Sequence, residues 1–426
     1  MSSDPRPAAR RETLLSGGRP IDPRRFYLGY RGAAGFLSAV ALATYGLYVV
    51  REAGLSPLEL VLLGTITETA SFLFEVPTGV IADVYSRRFS VLLAVLVNAL
   101  AFTVMAAVPG FGFVAVGSFL FGLAWTFRSG ALEAWLADEI GEERAAGTYL
   151  RGAQFSQTGF LLGIPVGVFA ATVDLQAPML AGGAAHLLLA LAVALFMTER
   201  GFVGSETTGW SAVGNTALAG VRAVRGRPVL MAIVALAVIG GASSESLDRL
   251  NPLIFLDEVG LPDGTGANEA VWFGLFTAGG LIGGLGLTEL VSRVTHPERI
   301  RSLVWALVTL EAVLIVAMVL FGSAQLFVVA LVAYWTTAWV RQASQPLTLA
   351  WLNRGLDPRS RATVLSLQSQ ADALGQTAGG PMMGLVATAT TVRVAIVAAG
   401  LLLLPALPIF ATQLRGSEDP PPPPAD

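Results

Sequence analysis

Long apolar runs constrain this chain more than any other feature. Leu58–Ile81, Phe89–Val108, Val229–Gly241, Leu303–Phe321 and Val394–Phe410 are nearly free of water-seeking side chains. A membrane-spanning helix needs about 20 apolar residues, and such runs exceed what a soluble core uses. Only 13% of the 426 residues are charged, about half the share of an ordinary soluble chain. Read against Gly, Pro and charge punctuation, the sequence predicts twelve helical spans at 27–50, 57–81, 89–108, 111–137, 150–172, 178–198, 228–255, 268–291, 300–321, 324–352, 362–387 and 392–413. The expected protein is all-α, with the lipid bilayer as its solvent.

Several chemistries are excluded by what the chain lacks. It has no cysteine, hence no disulfide, thiolate nucleophile or cysteine metal site. All 27 of its basic residues are arginine, so no P-loop or Schiff-base lysine exists. His186 and His296 are too far apart for a zinc-helix motif. No metal or cofactor is expected. A net charge of -3 argues against nucleic acid as a partner.

Arginine also sets the expected orientation. Arg87 and Arg88, Arg144 and Arg151, the 200–227 group, Arg293 to Arg301, Arg354 to Arg361 and Arg415 fall in alternate connections, whereas the others hold only Arg51 and Arg393. Both termini are therefore expected in the cytoplasm of a cell whose inner, or plasma, membrane holds the chain. Residues 1–26 read as a cytoplasmic tail, 27–199 as a six-span bundle, 200–227 as a cytoplasmic linker, 228–413 as a second six-span bundle and 414–426 as a proline-rich tail. Within the linker, Trp210, Val213, Ala217, Val221 and Val224 recur at helical spacing, as in an interfacial helix.

The two halves echo each other. Gly159-x3-Gly163-x-Pro165 recurs as Gly375-x3-Gly379-x-Pro381, displaced by 216 residues. The segment Gly79-Val-Ile-Ala-Asp83-Val-Tyr-Ser86-Arg87-Arg88 finds a weaker counterpart in Glu289-Leu-Val-Ser292-Arg293. Repeated halves are the plan of transporters that bind substrate near the midplane. Gly79–Arg88 resembles the cytoplasmic signature between the second and third helices of the major facilitator superfamily, and with twelve spans the resemblance covers nearly the whole chain. It implies two pseudo-symmetric six-helix bundles and a cytoplasmic gate formed by Gly79, Asp83, Arg87 and Arg88. Phe74–Gly79 and Arg128–Ala134 are similar to segments of the drug–proton antiporter branch, which includes tetracycline and macrolide exporters. That branch implies efflux of a small organic substrate in exchange for protons.

Charges inside the spans sharpen the expectation. Each costs about 2.5–3.5 kcal/mol near the centre of a span, so these side chains must pair, face the interior or sit near the headgroups. Glu68 and Glu75 lie on one stripe with Gly79. A carboxyl in low dielectric is driven toward its neutral form and can change protonation near neutral pH. Glu68, Glu75, Glu133, Glu245, Asp248 and Asp372 are thus candidates for proton coupling, and each has a structural alternative as a packing or ion-pair residue. Glu245 and Arg249 have the spacing of a helical ion pair, which leaves Asp248 to another partner. Arg128 cannot deprotonate, so it can hold a carboxylate ionised or bind an anionic group but cannot carry the proton. Trp335, Trp339 and Gln342 share a face beside Arg341. With Arg128 and Arg249 they are candidates to line a substrate cavity; packing is the alternative for the aromatics. Glu311 is an isolated acid, and His186 reads as buried and hydrogen-bonded.

The leading expectation is a monomeric secondary transporter working by alternating access and exporting a hydrophobic compound against protons. Uptake of a small metabolite by symport is the alternative within transport. A transport-dead receptor or a membrane-embedded enzyme is the alternative outside it.

Overall fold

The structure, a computed structural model, describes residues 21–204, 228–262, 268–296, 298–353 and 358–412. The linker helix expected near Trp210, residues 1–20 of the expected N-terminal tail and the proline-rich tail lie outside the described residues. Regular structure among the described residues is entirely helical. The helices are α1 (Pro23–Leu42), α2 (Tyr45–Arg51), α3 (Pro57–Val84), α4 (Arg87–Ala107), α5 (Phe111–Arg128), α6 (Ala131–Ile140), α7 (Glu142–Val173) and α8 (Ala177–Phe196). The second half holds α9 (Pro228–Leu253), α10 (Glu269–Val294), α11 (Ile300–Ser323), α12 (Phe327–Leu352), α13 (Pro358–Ala389), α14 (Val392–Leu402) and α15 (Ala406–Thr412).

Among the described residues, ten helical spans are long and apolar enough to cross a membrane. The helices at the other two expected positions, α12 and α13, have the length, at 26 and 32 residues. They carry Arg341, Gln345, Gln368, Asp372 and Gln376, which line a cavity, so their mean hydropathy is lower.

Three expected spans are interrupted. The first breaks at Ala43–Thr44 between α1 and α2. The fourth breaks between α5 and α6, where Gly130 has a φ of 74°, a conformation that costs an L-residue about 1–2 kcal/mol and that glycine adopts freely. The twelfth breaks before Ala406, around Pro405, whose ring cannot continue the helical ladder. Pro252 sits one residue from the end of α9 and is followed by a π turn over Ile254–Glu258. Starts also differ: Asp22 caps α1 through Arg24 N–H, so the helix reaches into the expected tail and packs Phe26 edge-on to Trp135.

The repeat is visible in the packing. A Cβ on Gly159 would strike the carbonyl of Gly32, and one on Gly375 would strike that of Val238. Glycine therefore lets α7 lie against α1, and α13 against α9, by the same contact in each half.

The apolar core is asymmetric along the helix axes. At the end bearing Arg51, here the far end, one cluster draws Leu47, Tyr48, Leu60 and Leu63 from the first half and Leu250, Phe255, Phe273 and Phe321 from the second. At the end bearing Asp83–Arg88, the loop end, the halves have separate cores: Tyr27, Val91, Leu132 and Trp135 in one, Leu303, Leu307, Trp351 and Leu352 in the other. The halves are fused at the far end and parted at the loop end.

Candidate functional site: a charged interface between two halves

The interface is built on α3 from the first half and α9 and α13 from the second. Glu245 is 3% exposed and accepts from Arg249 Nε at 2.7 Å, the pairing that its helical spacing predicts. Its carboxylate lies directly on the backbone of Gly64, where any Cβ would overlap Oε1. Gly380 of α13 closes the other side, within 3.2 Å of the Glu245 stem once a Cβ is added. A buried ion pair is thus wedged between the halves, on a surface of two glycines. Glu68, one helical turn along α3, is in electrostatic range of Glu245, Arg249 and Asp372. The two rival coupling positions, one on each half, therefore belong to a single charge cluster. Glu75 is exposed and lies toward the loop end, at the edge of that cluster and in electrostatic range of Glu68.

Asp248 is held bidentately by Arg341, at 2.6 and 2.8 Å, so α9 and α12 are tied by a planar fork. Three contiguous cavities surround this centre. One of about 190 Å³ lies between the halves and includes Tyr45, Arg249 and Asp248. It shares Asp248 with a second, of about 560 Å³, inside the second half. That space falls within the range of pockets that hold organic ligands. It presents Asp248, Glu311 and Asp372 against walls that include Met318, Trp351 and Phe410. Asp372 accepts from Gln376 at 2.7 Å, whereas Glu311 has no ion-pair or hydrogen-bond partner among the described residues. The third cavity, about 210 Å³, lies in the first half and shares Leu42 with the interface cavity. Arg128 lines it, stacked over Trp125 at 4.5 Å. His186, buried as expected, bonds to Asn98 at 3.1 Å and to the Gly182 carbonyl at 2.7 Å.

Two groups of expected site residues are placed elsewhere. Trp335 and Trp339 stack on each other and donate to the carbonyls of Phe276 and Gly279 at 3.1 and 2.9 Å. With Gln342 they fill the groove over Gly279, Gly283 and Gly284. Their face packs α12 on α10 and lines none of the three cavities, because glycines opposite bulky rings offer a better fit than open space. Glu133 pairs with Arg31 at 3.3 Å and accepts from Tyr27 at 3.4 Å; the break at Gly130 separates it from the helix that carries Arg128.

At the loop end, Arg87 binds Asp138 at 2.6 Å, and Glu199 accepts from Ser86 Oγ, Arg87 N–H and Arg88 N–H at 2.5, 2.6 and 3.1 Å. An anion at a helix N-terminus is favourable, so Glu199 fixes the start of α4. Buried Arg88 reaches the Ala194 carbonyl at 2.6 Å. Asp83 is half-exposed, 4.0 Å from Arg87, with no partner in the second half among the described residues. A Cβ on Gly79 would meet nothing. Sequence reasoning missed the far-end network: Arg51 binds Asp257 and Glu269 at 3.2 and 3.0 Å, and Arg393 binds Glu258 at 2.7 Å. The Arg51 pairs are the cross-half ion pairs among the described residues. Their signal was available, since Arg51 and Arg393 are the two arginines in otherwise arginine-free connections.

Residues 31–340 match the Major Facilitator Superfamily, and the chain belongs to that family. It is a multi-pass membrane transporter rather than an enzyme. Over 140 residues it is 24% identical to an uncharacterized MFS-type transporter, YxaM, of Bacillus subtilis (strain 168). That match spans about a third of either chain: 33% of this one and 35% of the relative. The fold is similar to that of the nucleoside transporter NupG, at a TM-score of 0.72 and 12% identity, covering 93% of this chain and 100% of that one. It is equally similar to a bacterial homologue of the human lysosomal transporter Spinster in an inward-facing, unoccupied conformation, at a TM-score of 0.72 and 14% identity, covering 92% and 97%.

Proposed function

We propose that this transporter exports a hydrophobic organic compound in exchange for protons, with its loop end and both termini in the cytoplasm. The observation that carries the reading is the fused far end and parted loop end, with an acid-lined cavity of about 560 Å³ in one half. In this orientation the substrate enters from the cytoplasm against the apolar walls of that cavity, and the interface acids release their protons on the same side. Arg249 and Arg341 keep Glu245 and Asp248 in register as the halves rock. Glu68 has no basic residue on its own helix and no ion-pair partner among the described residues. Arg249 acts on it only from a distance, which leaves it free to exchange a proton. Proton-coupled uptake of a small metabolite is the second reading; the similarity to a nucleoside transporter is one of fold.

Flux in proteoliposomes with and without an imposed pH gradient separates them. Gradient-driven movement opposite to the proton flow is expected, and Glu68→Gln should bind substrate but fail to concentrate it. Movement along the proton flow would establish symport. Accumulation retained in Glu68→Gln but lost in Asp248→Asn would assign coupling to α9 alone.

A further inference from the structure

We infer that the first-half cavity is a subsite for the anionic group of an aromatic carboxylate or sulfonate, with Arg128 as its counter-charge. Arginine stays ionised at any accessible pH, so one held within a span needs an anion or water about it. Arg31, Arg249 and Arg341 each have a carboxylate within 3.3 Å. Arg128 has none within 4.0 Å among the described residues; its face is covered by the Trp125 ring, which leaves the guanidinium edge for hydrogen bonding. The cavity it lines also presents Tyr30, Ser38, Asn98 and His186, and no acid. Its volume of about 210 Å³ falls below that of a site for a whole drug-sized molecule and suits one ring bearing one charged group.

The internal repeat shows that the fold does not require this cation. Displaced by 216 residues, Arg128 corresponds to Ser344, Trp125 to Arg341 and Val95 to Glu311, and all six line the cavity of their own half. The two cavities thus differ in charge, though no single position inverts it: one arginine and no acid line the first, whereas three acids and one arginine, Arg341, line the second. A packing role common to both halves would not leave an arginine without an acid in one cavity and acids in excess in the other. The geometry selects a ligand with an anionic group on the first-half side. Only in making that ligand a substrate does the inference rest on the transport reading, and the test uses no gradient, so either can fail alone.

The experiment follows thermal unfolding of the purified full-length protein with benzoate and with benzenesulfonate, at ionic strength held constant with chloride. A saturable rise in melting temperature is expected for the wild type, and none with benzyltrimethylammonium. Arg128→Gln should show no rise. Asn98→Asp supplies an internal carboxylate to the same cavity and should also abolish it, without depending on how well Arg128→Gln folds. No saturable rise in the wild type would overturn the proposal, as would an undiminished rise in both variants.

Discussion

Glycine and carboxylate meet at one point of the interface with no room between them, and this contact fixes what each residue there can do. At Gly64 the Glu245 carboxylate occupies the place of a side chain. A methyl group there must displace the Glu245–Arg249 pair, and overpacking of a close-packed site costs about 1–3 kcal/mol. Gly64→Ala should lower the melting temperature and slow flux. In a Glu245→Ala background, which itself leaves Arg249 unpaired, the same substitution should cost less, because residues in contact couple non-additively. Equal losses with and without Glu245 would show that the contact is not what makes glycine necessary. The pair itself was readable from the spacing of Glu245 and Arg249. Its position against Gly64 was not, because no periodicity within one helix reports which backbone of another half will touch it.

Among the elements, the signature loop is the most informative. Its fixed part is an N-terminal cap on α4, in which Glu199 accepts from one hydroxyl and two backbone N–H groups. Hydrogen bonds to a charged group are worth about 1.5–3 kcal/mol each. Asp83, by contrast, is half-exposed and without a partner across the interface in this state. Asp83→Asn should therefore leave the melting temperature within experimental scatter and slow turnover strongly, while Glu199→Gln should lower the melting temperature. A melting temperature lowered by Asp83→Asn would place Asp83 in the resting fold rather than in the closing movement. Helix positions were legible in the sequence because apolar runs of this length have few other uses. Interruptions were less so: Arg128–Gly130 reads as continuous helix until the positive φ of Gly130 parts α5 from α6. Stacking of Trp335 and Trp339 on α10 was also hidden, since a ring on a helix face packs on a glycine groove and lines a cavity by the same sequence pattern. Of the residues that the sequence singles out, Arg128, Asp248, Arg249, Arg341 and Asp372 line the cavities, as does Glu311, which stands alone in the sequence.

For the whole molecule, the proposed transport cycle makes a fused far end and a parted loop end one of two alternating states. Exposed ion pairs contribute about 0–1 kcal/mol each, so the two Arg51 pairs bias the balance without locking it. Arg51→Gln should then raise the population of the state open at the far end. This is measured most directly by distances between spin labels on cysteines introduced into the naturally cysteine-free chain. One pair, at Tyr85 and Leu290, spans the loop end, and another, at Val108 and Leu326, spans the far end; all four side chains are exposed. Alternating access predicts that Arg51→Gln shortens the loop-end distance and lengthens the far-end distance together. Two distances that move in the same direction, or one that moves while the other stays fixed, would contradict it.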